Sequence, residues 1–217
     1  MFPRLLLLAS LLLSSCSDAD EPKPSYLDPP TYQTLHAKTH GAYFQFRSEG
    51  KFYLACSIHQ GAARPGAKIL RAGQKTPTIM GQRVHRQHDL HIWEYDRSTL
   101  PDADALNFHK NVEVKKGDRI YILNKGQKLA ATVTSAPRNS GFRYTYKTDK
   151  PFPAGGMSGS PIFLPRTGSV IGVLQTANSK TAATFGGFEL IDFSKPVVPK
   201  PKPKPTPAKK PAQPAKK

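Results

Sequence analysis

The sequence predicts an all-β protein, a barrel or a sandwich of short antiparallel strands. Three observations carry this. Short segments rich in aromatic and β-branched residues alternate in polarity or run apolar throughout. Glycine-, asparagine- and proline-bearing turns separate them at regular intervals. No long stretch places apolar residues at the three-and-four spacing of an amphipathic helix.

The elements follow in order. Residues 42–46 and 51–55 flank Ser48-Glu49-Gly50, which predicts a hairpin. Residues 91–95 alternate, with Ile92 and Trp93 at the centre of the segment. Residues 119–123 and 129–134 flank Asn124-Lys125-Gly126-Gln127, a second hairpin, and residues 142–146 alternate again. Residues 162–164 and 169–174 flank Pro165-Arg166-Thr167-Gly168, a third. Residues 188–191 supply a last strand. These elements bound a folded domain at 35–194.

The flanks read differently. Residues 1–15 have the form of a signal peptide: Arg4 precedes an apolar run, 5–13, that is too short to span a bilayer as a mature helix. The run ends Leu13-Ser14-Ser15-Cys16, which resembles a bacterial lipobox. That resemblance implies cleavage before Cys16, lipidation there, and with Ser17 next, sorting to an outer membrane facing the periplasm. The alternative is a plain secretory signal with an incidental cysteine. Residues 16–34 are polar and hold Pro22, Pro24, Pro29 and Pro30, as a tether would. Residues 195–217 alternate proline and lysine, cannot bury a core, and are expected to be disordered. They carry eight lysines, nearly half of the net charge of +17 over 217 residues. No aromatics interleave with these lysines, so a solvated tail meeting an anionic envelope polymer or lipid headgroups is expected rather than nucleic acid, the alternative being a plain spacer with no specific partner. Besides Cys16 there is only Cys56, so no disulfide framework holds the fold if Cys16 is lipidated.

Chemistry concentrates at Gly155-Gly156-Met157-Ser158-Gly159-Ser160-Pro161. Small residues let the backbone turn sharply, present the Ser158 hydroxyl and set amide N–H groups beside it, as acyl transfer requires. A turn before a strand has the same composition. A serine nucleophile needs a histidine base and a group to orient it. The seven histidines are His36, His40, His59, His85, His88, His91 and His109, and none follows Ser158. That excludes the Ser-Asp-His order of α/β-hydrolases, and Ser160 also breaks their nucleophile-elbow motif. With His59 as base, an Asp-His-Ser order is nearly excluded, because Asp18, Asp20 and Asp28 all lie in the tether. His-Asp-Ser remains. His59 closes an apolar strand and Asp89 opens one, positions that suit a cleft but also suit a surface histidine and a loop carboxylate.

Together, Leu54-Ala55-Cys56-Ser57-Ile58-His59, Asp89-Leu90-His91-Ile92 and Gly156-Met157-Ser158-Gly159-Ser160-Pro161 resemble the chymotrypsin-like serine peptidases. The run Gly168-Ser169-Val170-Ile171-Gly172-Val173-Leu174 resembles the strand pair after the serine in that family. The resemblance covers roughly 41–193. It implies two antiparallel β-barrels, about 35–105 and 106–194, with the site in the cleft between them. It implies His59 as general base, Asp89 as orienting carboxylate, Ser158 as nucleophile, and the Gly156 and Ser158 N–H groups as oxyanion hole. It implies a substrate pocket lined by Phe152, Gly155, Gln175, Thr176 and Ala177. No acid stands there, so an apolar or small P1 residue is expected. Met157 replaces the acid that animal members carry before the serine, which removes the zymogen-type salt bridge. The implied activity is a serine endopeptidase acting on protein or peptide in the bacterial envelope, with no cofactor. The alternative is a non-catalytic binding module on the same fold. His85, His88 and His91 fit no closed zinc spacing, so no metal site is expected, and Cys56 reads as an inert core residue.

Overall fold

A computed structural model describes residues 28–37, 41–60, 69–70, 77–100, 105–135, 144–153, 155–179, 182–193 and 198–199. The signal peptide, Cys16, the first part of the tether and nearly all of the basic tail lie outside the described residues. The strands are β1 (Leu35–Ala37), β2 (Gly41–Ser48), β3 (Lys51–Ser57), β4 (Ile69–Leu70), β5 (Ile79–His85), β6 (Leu90–Tyr95) and β7 (Leu106–Asn107). They continue as β8 (Arg119–Asn124), β9 (Gln127–Ser135), β10 (Tyr144–Thr148), β11 (Pro161–Leu164), β12 (Ser169–Ser179), β13 (Thr184–Leu190) and β14 (Val198–Pro199).

Two sheets result. The first runs β14-β5-β6-β3-β2-β1-β4, with β7 pairing β2 in parallel. The second closes as a six-stranded barrel, β10-β13-β12-β11-β8-β9. All three expected hairpins are present. Glu49 (φ 51) with Gly50 (φ 74), and Lys125 (φ 48) with Gly126 (φ 77), put both central turn residues at positive φ. That two-residue geometry matches the right-handed twist of the flanking strands. Gly168 (φ 64) ends the longer turn between β11 and β12.

The central strands of the first sheet are apolar on both faces because both faces are covered. On one face Tyr43, Leu54, Cys56, Trp93 and Tyr95 pack together. On the other, Phe44, Phe46, Tyr53, Ala55, Leu90 and Ile92 pack against Leu123, Phe163, Val170 and Val173 of the barrel. The barrel is filled separately by Ile120, Ile122, Val133, Tyr146, Ile162, Leu174 and Phe188. The two units therefore share an apolar seam, and the candidate site lies along it.

Several features depart from the sequence expectation, beyond the short strands β1, β4 and β7. Strand β5 has no signal in the sequence, because Gly81, Gln82 and Arg83 interrupt any apolar alternation, and in the structure a register shift falls between Ile79 and Gly81. The tether expected through residue 34 is partly docked: Tyr32 and Thr34 are buried, and the Gly126 N–H donates to Tyr32 O (2.9 Å). An isolated tyrosine among prolines carries no periodicity to reveal this. Beyond the end expected at 194, Val198 and Pro199 of β14 pair with Gln82 and Gly81.

Candidate active site

Strand β3 ends in a 3₁₀ turn, Ile58–Gln60, that sets His59 at the seam. A second 3₁₀ turn, Arg86–His88, precedes Asp89, whose φ of 50 and ψ of 35 are left-handed. Aspartate is among the few residues that adopt this conformation at small cost. The backbone around it is fixed on both sides: Asp89 N–H donates to Arg86 O (3.3 Å) and Asp89 O accepts from Ile58 N–H (3.0 Å). Its carboxylate then grips His59 twice. Oδ1 accepts from the His59 backbone N–H (2.7 Å), and Oδ2 pairs with His59 Nδ1. With Nδ1 engaged, Nε2 is the ring nitrogen left for proton transfer. The imidazole is about half exposed and the carboxylate less so (47% and 30%), as suits groups on the wall of a cleft.

The Ser158 loop crosses from the barrel to the first sheet. Gly156 (φ 75) and Gly159 (φ 87) make its turns. Ser158 O accepts from Ala42 N–H of β2 (3.1 Å), and Gly159 N–H donates to Leu174 O of β12 (2.8 Å). The half-buried Ser158 donates its hydroxyl to Gln175 O (3.2 Å). The buried side chain of Gln175 reaches the other way, and Nε2 donates to Asp89 O (3.1 Å) and, at the limit of hydrogen bonding, to His88 O (3.5 Å). The structure thus joins Asp89 directly to His59, and joins Ser158 to the Asp89 segment through Gln175. Among the described residues no hydrogen bond links Ser158 to His59.

The five expected pocket residues divide. Gly155 and Thr176 are exposed, and Ala177 is half-buried against the barrel core. Phe152 is buried within that core and its N–H donates to Thr184 Oγ1 (3.0 Å), so its side chain supports a wall. Gln175 is likewise engaged with the Asp89 segment. The expectation for Gln175 is a pocket role alone, since no local pattern signals its amide contact with residues more than eighty positions away.

The three histidines around Asp89 go to separate partners. His85 is buried with Nδ1 3.6 Å from Asp192, and His88 Nδ1 lies 3.3 Å from the buried Glu189 carboxylate of β13. His91 stacks on Trp93 at 3.8 Å between ring centroids, with Nε2 2.9 Å from Gln82 Oε1. Burial, with the Arg86 cation adding, lowers the His91 pKa from 6.5 to about 4. The unfolded chain therefore takes up a proton at His91 below about pH 6.5 while the folded protein does not. Stability is untouched above that pH and falls as pH drops from 6.5 toward 4, by about 3 kcal/mol in all. Urea titrations at pH 7 and near pH 4 are expected to show a smaller drop for His91→Gln than for wild type, and equal drops would place the proton elsewhere. Burial pushes the Cys56 thiol well up, and the Asp89 charge adds to this, so it is held as the unreactive thiol.

No family model matches the sequence, and no curated protein matches it. Among solved structures, the chain is similar to a glutamic acid-specific serine protease that uses a histidine triad in substrate binding. That likeness has a TM-score of 0.51 at 16% identity and covers 71% of this chain and 90% of that one. It is also similar to the inactive form of the Rv3671c protease, with a TM-score of 0.50 at 20% identity over 72% of this chain and 81% of that one. The HtrA-type protease AlgW with decapeptide gives a TM-score of 0.46 at 18% identity, covering 68% of this chain, which spans only 47% of AlgW. The fold is therefore that of the chymotrypsin-like proteases, all-β with a closed barrel and a second sheet.

Proposed function

We propose that the chain is a serine endopeptidase that hydrolyses peptide bonds through His59, Asp89 and Ser158. The observation that carries this is the double grip of Asp89 on His59, through the backbone N–H and Nδ1. It fixes the imidazole in the tautomer a general base needs, with Nε2 free to accept a proton. In the reaction the Ser158 hydroxyl leaves the Gln175 carbonyl by rotation about χ1 and gives its proton to His59 as Oγ attacks the scissile carbonyl. The tetrahedral oxyanion is met by the Gly156 and Ser158 N–H groups, neither of which is hydrogen-bonded among the described residues. His59 then protonates the leaving amine, and water hydrolyses the acyl-enzyme by the reverse roles. With Gly155 exposed and Phe152 withdrawn into the core, a small or apolar P1 side chain is the preferred occupant. Export, a lipid at Cys16 and a place in the bacterial envelope, with the basic tail on an anionic polymer, complete the proposal on the sequence pattern of the two ends.

The test is labelling by a fluorophosphonate probe. Wild type is expected to label at Ser158 and Ser158→Ala not at all. Equal labelling of both, or of neither, would leave the non-catalytic binding module as the better account.

A further inference from the structure

Ser160, two residues past the nucleophile, is fully buried, as are Asn124 of β8 (3% exposed) and Thr34 of the N-terminal segment (2%). Their hydrogen bonds form one directed chain. The Lys125 N–H donates to Thr34 Oγ1 (3.3 Å), and that hydroxyl donates to Asn124 Oδ1 (3.1 Å). Asn124 Nδ2 donates to Ser160 Oγ (2.7 Å), and the Ser160 hydroxyl donates to the Met157 carbonyl oxygen (2.5 Å). The Ser160 N–H donates to the same oxygen (3.0 Å). Each group uses a donor and an acceptor without conflict, and in a buried setting such chains strengthen along their length.

The far end of the chain matters because of what the Met157 carbonyl is bonded to. It shares a planar trans peptide with the Ser158 N–H, and the two point in opposite directions. Whatever fixes Met157 O therefore aims the Ser158 N–H. We propose that Thr34, Asn124 and Ser160 are positioning residues that orient the Ser158 N–H as an oxyanion donor, so that docking of the N-terminal segment completes the site. This rests on the peptidase function proposed above. The segment is seated independently of Thr34: Tyr32 Oη accepts from Gln45 N–H (2.7 Å) and Tyr32 O from Gly126 N–H (2.9 Å). The network carries no formal charge. It links residues 34, 124 and 160 by neutral groups, which makes the orientation independent of pH.

The experiment measures the second-order rate of fluorophosphonate labelling alongside the thermal midpoint. Ser160→Ala leaves the backbone bond to Met157 O but removes the hydroxyl link, and labelling is expected to slow by about a hundredfold. Thr34→Val keeps the shape and removes the donor, and a slowing of about tenfold is expected, restored by Thr34→Ser. In each case the slowing must hold at temperatures where the variant is fully folded. Wild-type labelling rates in both variants, or a slowing that only follows the unfolded fraction, would overturn the positioning role. Failure of wild type itself to label would instead remove the peptidase function, and this role with it.

Discussion

Asp89→Asn is expected to slow fluorophosphonate labelling by about ten-thousand-fold while leaving the thermal midpoint close to wild type. The geometry dictates the direction. The His59 backbone N–H needs an acceptor, and Oδ1 supplies it. An asparagine in the same place keeps its oxygen on that N–H and turns its NH₂ toward His59 Nδ1. Nδ1 must then accept, Nε2 carries the ring proton, and the imidazole can no longer take one from Ser158. The backbone has no reason to move, because asparagine adopts the left-handed conformation of Asp89 readily. A rate within about tenfold of wild type, with the fold intact, would show that Asp89 does not set the tautomer and would return the role to another carboxylate. Asp96 is not placed for it: its side chain caps the 3₁₀ turn Arg97–Thr99, accepting from Ser98 N–H (2.9 Å).

The second large effect is structural. Gly159→Ala is expected to destabilise the protein by about 4 kcal/mol, or to prevent folding outright. A Cβ at this position would lie 2.0 Å from Ala42 O, a backbone atom that no rotamer change can move aside, and the φ of 87 is itself costly for alanine. Relief means separating β2 from the Ser158 loop and stretching two hydrogen bonds, Ala42 N–H to Ser158 O and Gly159 N–H to Leu174 O. Gly155→Ala is the matched control, since nothing lies within 4 Å of its Cβ and its φ is not in the left-handed region. Its effect is expected to stay within about 0.5 kcal/mol. Equilibrium urea unfolding checks both, and comparable stabilities for the two variants would mean that the loop and β2 are not tightly apposed.

Much of the fold is legible in the sequence because its hairpins announce themselves locally. Glu49-Gly50 and Lys125-Gly126 supply the positive φ values that two-residue turns require, and the strands on either side are dense in aromatic and β-branched residues. The contact between His59 and Asp89 is foreshadowed for a different reason. With His59 as base, the scarcity of histidine and aspartate leaves a His-Asp-Ser order, and the family resemblance implies Asp89 within it. What was not legible lacked either signal. Strand β5 mixes Gly81, Gln82 and Arg83 into a segment that neither face fully buries. β7 and β14 are two residues long, too short for any periodicity. Tyr32 and Thr34 sit in a proline-bearing polar stretch, and their burial depends on the Lys125-Gly126 turn lying across from them, a contact that only tertiary structure creates. Gln175 and Ser160 were visible as residues but not as partners, because hydrogen bonds over 36 and 86 positions leave no mark on local composition.

The docking of Tyr32 and the return of β14 bear on modularity. The segment that precedes the first sheet is fastened to a turn of the barrel, and the strand that follows the barrel is added to the first sheet. Each unit is thus closed by chain that belongs, in sequence, to the other side of it. Neither unit is an exchangeable part: a chimera that replaced the sheet or the barrel would also have to carry over the matching terminal segment, or leave a bare strand edge on the first sheet and an unfilled seat beside the Lys125-Gly126 turn.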